Sequence, residues 1–132
     1  MTTEKTKHNA RRVVVTGMGI ISPVGLTVSS TWEALIAGKS GVDYIISFDP
    51  APLETKVAAE AKGFDPMMYV SRKEAHRMDR FTQFAVAASL QAVESAGLKI
   101  NSNNTEETGV IIGSSVGGML SISEQLKILN EA

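Results

Sequence analysis

The sequence predicts an α/β domain built on a largely parallel sheet with a long helix packed inside it. Three observations lead there. Val13–Thr16, within "RRVVVTGMGIISPVG", is a short run dominated by β-branched valine, the mark of a strand covered on both faces. "GVIIGSS", residues 109–115, repeats that signature late in the chain. Between them helical and extended patterns alternate, the order expected when crossover helices link parallel strands.

The elements follow in order. Residues 1–10, "MTTEKTKHNA", are polar and are expected to form a disordered tail with no secretory h-region. After the first strand, "TVSSTWEALIAGKSG" reads as a helix. Ser29 or Ser30 is its expected cap, Trp32, Leu35 and Ile36 form an apolar stripe destined for the core, and Gly38 or Gly41 ends it. "YIISFDPAPLE" contains two prolines and predicts a loop with a short extended piece. Lys56–Ala61 predicts a weak strand. A long helix is expected from about Asp79 to Ala96, stopped by Gly97. Phe81, Phe84, Ala85, Ala88 and Ala92 lie on one face and Val86, Leu90 and Val93 on another, which predicts a helix sandwiched within the domain. "VGGML" turns the chain after the second strand, and "SISEQLKILNEA" begins another helix that meets no stop signal. That open ending is what a fragment of a longer chain would show.

Bulk composition excludes several function classes. The 132 residues carry a net charge of −1, which argues against nucleic acid or an anionic membrane as partner. No apolar run approaches the roughly 20 residues of a membrane span. There is no cysteine, so disulfides, thiolate metal sites and a thiol nucleophile are all impossible within this chain. With two histidines only, His8 and His76, no metal site is expected.

Three stretches could carry chemistry. Gly17-Met18-Gly19 opens like a dinucleotide fingerprint, but Ser22 stands where the third glycine belongs and Pro23 follows it. Close backbone packing explains those glycines better. Gly113-Ser114-Ser115-Val116-Gly117 matches the nucleophile elbow G-x-S-x-G between a strand and a helix, with Ser115 as candidate nucleophile. A hydrolase needs a later histidine, and none follows; a serine without a base is a weak nucleophile. "SRKEAHRMDR", residues 71–80, sets Arg72, Lys73, Arg77 and Arg80 against Glu74 and Asp79. Such a segment is either a solvated helix entry with a Glu74–Arg77 pair or a landing surface for an acidic partner.

Four ordered stretches, "RRVVVTGMGIISPVG", "TWEALIAGKSGV", "SRKEAHRMDRFTQFAVAASLQAVESAGL" and "GVIIGSSVGGM", together resemble the N-terminal part of the elongating, type II β-ketoacyl-[acyl-carrier-protein] synthases. The resemblance implies a thiolase-like α/β fold, of which residues 11–132 would be a partial N-terminal ketosynthase domain, the leading piece of the first half. It implies decarboxylative condensation of an enzyme-held acyl thioester with malonyl-carrier protein in fatty-acid elongation. No cofactor or metal is implied. The expected setting is cytoplasmic, with acyl carrier protein as partner and a homodimer as the complete enzyme. The family's nucleophilic cysteine and two histidines belong to later segments, so no catalytic residue is expected here. Carried over by position, Lys73 and Arg77 match basic sites that receive the carrier protein's acidic helix, and His76 stands where a relative has arginine. Val116, Gly117 and Gly118 fall at the turn beside the acyl pocket and dimer interface. A non-catalytic subunit that pairs with a complete synthase is the rival outside the enzymes.

Overall fold

The computed structural model describes residues 11–131. The expected tail, residues 1–10, lies outside them. In chain order the elements are α1 (Val28–Ile36), β1 (Val42–Tyr44), β2 (Val57–Ala59), a 3-10 turn (Pro66–Met68), α2 (Arg72–Ala75), α3 (Arg80–Ser95), a second 3-10 turn (Thr105–Glu107) and α4 (Met119–Glu131).

Helix α3 is the axis of the structure. It ends where the sequence places its stop: Gly97 takes φ +62°, and the Gly97 and Leu98 amides donate back to the Glu94 and Val93 carbonyls. Ala87 at its middle is completely buried. Phe84 meets Phe64 edge-on with ring centroids 4.9 Å apart, and Phe64 stacks on Tyr69 at 5.9 Å. Arg80 closes this cluster from above. Its guanidinium lies 4.9 Å from the Phe64 and Phe84 centroids and donates to the Phe64 and Ala61 carbonyls.

The glycines at 17 and 19 are there for contact. A methyl group on Gly19 would strike the Ala88 carbonyl and come within 2.7 Å of Gln91 Cβ; one on Gly17 would strike the Ala92 carbonyl and lie 2.8 Å from Ala96 Cβ. The segment therefore runs directly on the backbone of α3, along its alanine row. Gln91 fastens it: Oε1 accepts from the Ile20 amide at 3.1 Å, while Nε2 donates to the Leu26 carbonyl and the Tyr69 hydroxyl at 2.8 Å each. Ser22 closes a turn, its Oγ donating to the Gly25 carbonyl and accepting from the Gly25 amide.

Several expectations are corrected. The cap of α1 is Thr27, with Ser30 as its reciprocal partner in a capping box, so the helix begins at Val28, before either serine that was expected to cap it. Its buried residues are Thr31 and Ala34, while Trp32 is 62% exposed. Among the described residues the paired strands are β1 and β2, which run antiparallel with Val42 opposite Ala59 and Tyr44 opposite Val57. The two β-branched runs pair with nothing in that set: Val13 is 92% exposed and Ile111 99%. Helix α3 is accordingly covered on one side only, with Leu90 and Val93 open to solvent. The parallel sheet that would use these surfaces is not formed among the described residues.

Candidate functional site

The basic segment is held by its own polar ends. Ser71 caps α2, and Glu74 turns back on it, its Oε2 accepting from the Ser71 amide at 2.9 Å and the Ser71 hydroxyl at 2.6 Å. These bonds hold the Glu74 carboxyl below the usual glutamate range, the hydroxyl contributing most. At the other end Gln83 Nε2 donates to the Ala75 and Met78 carbonyls at 3.0 and 3.2 Å, and Ala75 is buried. Anchored on both sides, the turn presents Arg72, Lys73, His76 and Arg77 to solvent. The Glu74–Arg77 pair does not form; Glu74 Oε2 is turned to Ser71 instead. Among the described residues the ion pair is Lys62–Asp43, at 2.6 Å, so none of these cations has a carboxylate partner in that set. An open cleft of about 500 Å³ runs beside them, lined by Asp65, Met67, Arg72, Ala75, His76 and Gln83 among others.

The glycine turn lies against the start of α3. A Cβ on Gly117 would come within 2.6 Å of the Phe81 ring, so that ring seats on bare backbone. Gly118 takes φ +76° and leads into α4. Asp79 Oδ2 accepts from the Ser121 amide at 3.1 Å and the Ser121 hydroxyl at 2.7 Å. Its carboxyl is held below the usual aspartate range, first by that hydroxyl and then by that amide. Val116 is 69% exposed. Ser115 has no hydrogen bond to a histidine or carboxylate among the described residues, so the elbow motif comes without the base that a serine hydrolase requires.

A backbone seated on an alanine-rich helix, an exposed basic turn at that helix's entry and a double-glycine turn against its first residues are the setting for the comparison with known proteins. A family model described as "Beta-ketoacyl synthase, N-terminal domain" matches residues 10–132. The chain belongs to the β-ketoacyl synthase family. Among its relatives, 3-oxoacyl-[acyl-carrier-protein] synthase 2 of Vibrio cholerae is 51% identical over 109 residues, covering 83% of this chain and 26% of that one. The enzyme of the same name from Synechocystis is 44% identical over 119 residues, covering 90% and 29%. A solved β-ketoacyl synthase from Burkholderia phymatum superposes with a TM-score of 0.68 at 30% identity, over 89% of this chain and 30% of that one. The ishigamide ketosynthase/chain length factor superposes with a TM-score of 0.63 at 39% identity, over 67% and 22%. The chain thus spans about a quarter of the length of the curated relatives it matches. The synthase neighbours make the fold thiolase-like.

In this β-ketoacyl synthase segment, α3 brings the two candidate regions together. Lys73, His76 and Arg77 share one exposed turn just before its start, and Gly117, between Val116 and Gly118, lies against its Phe81 ring. Sequence reasoning counted Arg80 with the outward cations; the structure turns it inward onto the phenylalanines. It missed Asp79 and Ser121 as a pair. Asp79 immediately before a helical pattern was a visible cap signal, but nothing local said that it would serve a different helix. No described helix is long and apolar enough to cross a membrane.

Proposed function

We propose that this chain is the N-terminal segment of a cytoplasmic, homodimeric 3-oxoacyl-[acyl-carrier-protein] synthase of fatty-acid elongation, with residues 11–132 a partial ketosynthase domain. The observation that carries the reading is the family match over residues 10–132, together with relatives of that name near 50% identity. The reaction joins the acyl group of an enzyme thioester to the α-carbon of malonyl-carrier protein as the malonyl carboxylate leaves as carbon dioxide. Forming the thioester requires a thiol, and this chain has none, so the nucleophile belongs to segments other than this one.

What this segment contributes is recognition. Lys73 and Arg77, with His76 beside them, form an exposed turn whose cations make no ion pair with a carboxylate of the described residues. Such a cluster attracts the acidic helix of acyl carrier protein and speeds its encounter. Val116 stands at the acyl pocket and dimer interface, the one bulky side chain in the run 113–118. Gly117 allows the backbone to lie on Phe81.

The test is complementation by parts. Residues 11–132 replace the matching quarter of the Vibrio cholerae relative, and the chimera is assayed with acyl- and malonyl-carrier protein. Ketoacyl product is expected from the chimera and none from the isolated chain. Product from the isolated chain, free of host synthase, would contradict the assignment of the nucleophile elsewhere. A folded, dimeric chimera without product would overturn the synthase reading.

A further inference from the structure

Helix α4 begins without a cap of its own, since Gly118 precedes it and has no side chain. Its third residue, Ser121, offers a backbone N–H that would otherwise be unpaired within the helix. That N–H is taken by Asp79 Oδ2, from 42 residues upstream, and the same oxygen accepts the Ser121 hydroxyl. Asp79 sits at the N-cap position of α3 yet makes no side-chain cap bond to its own helix. Two residues on, the Phe81 ring occupies the space that a side chain at Gly117 would need. The first turn of α3 therefore grips the glycine turn at both ends, by a charged hydrogen-bond pair after it and by an aromatic face beneath it. Val116 lies one residue before the gripped stretch.

We infer that Asp79 and Ser121 are positioning residues for acyl-chain selection, a latch that holds the Gly117–Gly118 turn on α3 and so fixes how far Val116 stands in the acyl pocket. The inference rests on the synthase reading proposed above. Val116 limits the depth of the pocket only while the turn that carries it cannot retreat. The bond is charge-assisted, which strengthens it relative to a neutral cap. The Ser121 hydroxyl also draws the Asp79 carboxyl toward its ionised form.

Asp79→Asn and Ser121→Ala are compared with wild type in the complete synthase carrying this segment. Ser121→Thr, which keeps the hydroxyl, serves as the conservative control. Two quantities are read: hydrogen exchange at the Ser121 amide, and the ratio of kcat/KM for long against short acyl-carrier protein. Weakening a charged hydrogen bond at this exposed site should raise the long-to-short ratio by about two- to fivefold in Asp79→Asn. Exchange at Ser121 should accelerate in the same variant. Ser121→Ala should show a smaller rise in the ratio and Ser121→Thr almost none. Unchanged exchange in Asp79→Asn would show that the latch does not hold the turn. Faster exchange with an unchanged ratio, or equal losses on long and short chains, would show an ordinary structural cap and overturn the inference while leaving the synthase reading intact. A complete protein that condenses no acyl chain of any length would overturn that reading, and this inference with it.

Discussion

Reversing both Lys73 and Arg77 to glutamate tests the proposed docking surface. Both side chains are exposed and have no carboxylate partner among the described residues, so their attraction for an acidic helix acts through water. A contact pair of unit charges at ~5 Å is worth about 0.8 kcal/mol in bulk water. Reversal replaces attraction with repulsion of similar size, roughly 1.6 kcal/mol per site and ~3 kcal/mol for two. At physiological ionic strength the Debye length is about 8 Å, which cuts this by roughly half. The expected loss is therefore about 1–2 kcal/mol, or ~5- to 30-fold in kcat/KM for acyl-carrier protein. Glu74 stays bound to Ser71 in the variant, so the turn keeps its shape. The assay compares carrier-protein substrates with a small pantetheine thioester across a salt series. The carrier-protein loss should shrink as salt rises, and the small substrate should be nearly unaffected. Equal losses on both substrates, or a loss independent of salt, would refute the docking argument and make the segment structural.

Three further outcomes are expected. On the proposed acyl-pocket assignment, Val116→Phe, measured in the complete enzyme, should lower the long-to-short acyl ratio by ~5- to 150-fold, because overfilling the space for the acyl chain costs about 1–3 kcal/mol; an unchanged ratio in a folded dimer would place Val116 outside the pocket. Gly19→Val should lower the denaturation midpoint sharply and Gly38→Ala only modestly, because Gly19 sits on the Ala88 carbonyl and Gly38 has open space around it at φ +65°; similar losses would refute the packing role of Gly19. The Glu74 carboxyl is depressed in the folded state, so its contribution is present above the usual glutamate range and is lost as pH falls through the folded value. Ser71→Ala should therefore reduce the loss of stability as pH falls below the usual glutamate range, read as a flatter acid limb in urea midpoints.

Much of the local structure was legible in the residues. The helix expected from about Asp79 to Ala96 spans Arg80–Ser95, because the alanine-rich repeat and the Gly97 stop are short-range signals. The strand read weakly at Lys56–Ala61 appears as Val57–Ala59, and the helix begun in "SISEQLKILNEA" runs from Met119 to Glu131. The close packing of the glycines at 17 and 19 was legible too, since Ser22 replaces the third fingerprint glycine. The basic turn and the double-glycine turn were likewise visible as motifs, although nothing in the motifs tested their roles.

What the tertiary structure alone decided concerns the direction in which side chains turn. Arg80 and Arg77 are the same residue type three positions apart, yet one lies between Phe64 and Phe84 and the other faces solvent. Glu74 could have paired with Arg77 but satisfies the Ser71 backbone instead, an orphan donor at a helix end being the more exacting partner. Trp32 looked like core and is mostly exposed, because the small residues Thr31 and Ala34 are the ones turned inward. Asp79 bonds to a helix that begins 40 residues later. Each of these depends on which segments meet across long sequence separations. A single sequence carries propensities and periodicities over a few turns of chain, whereas the burial of a charge or the capping of one helix by another is settled only when distant backbones are brought within hydrogen-bond reach.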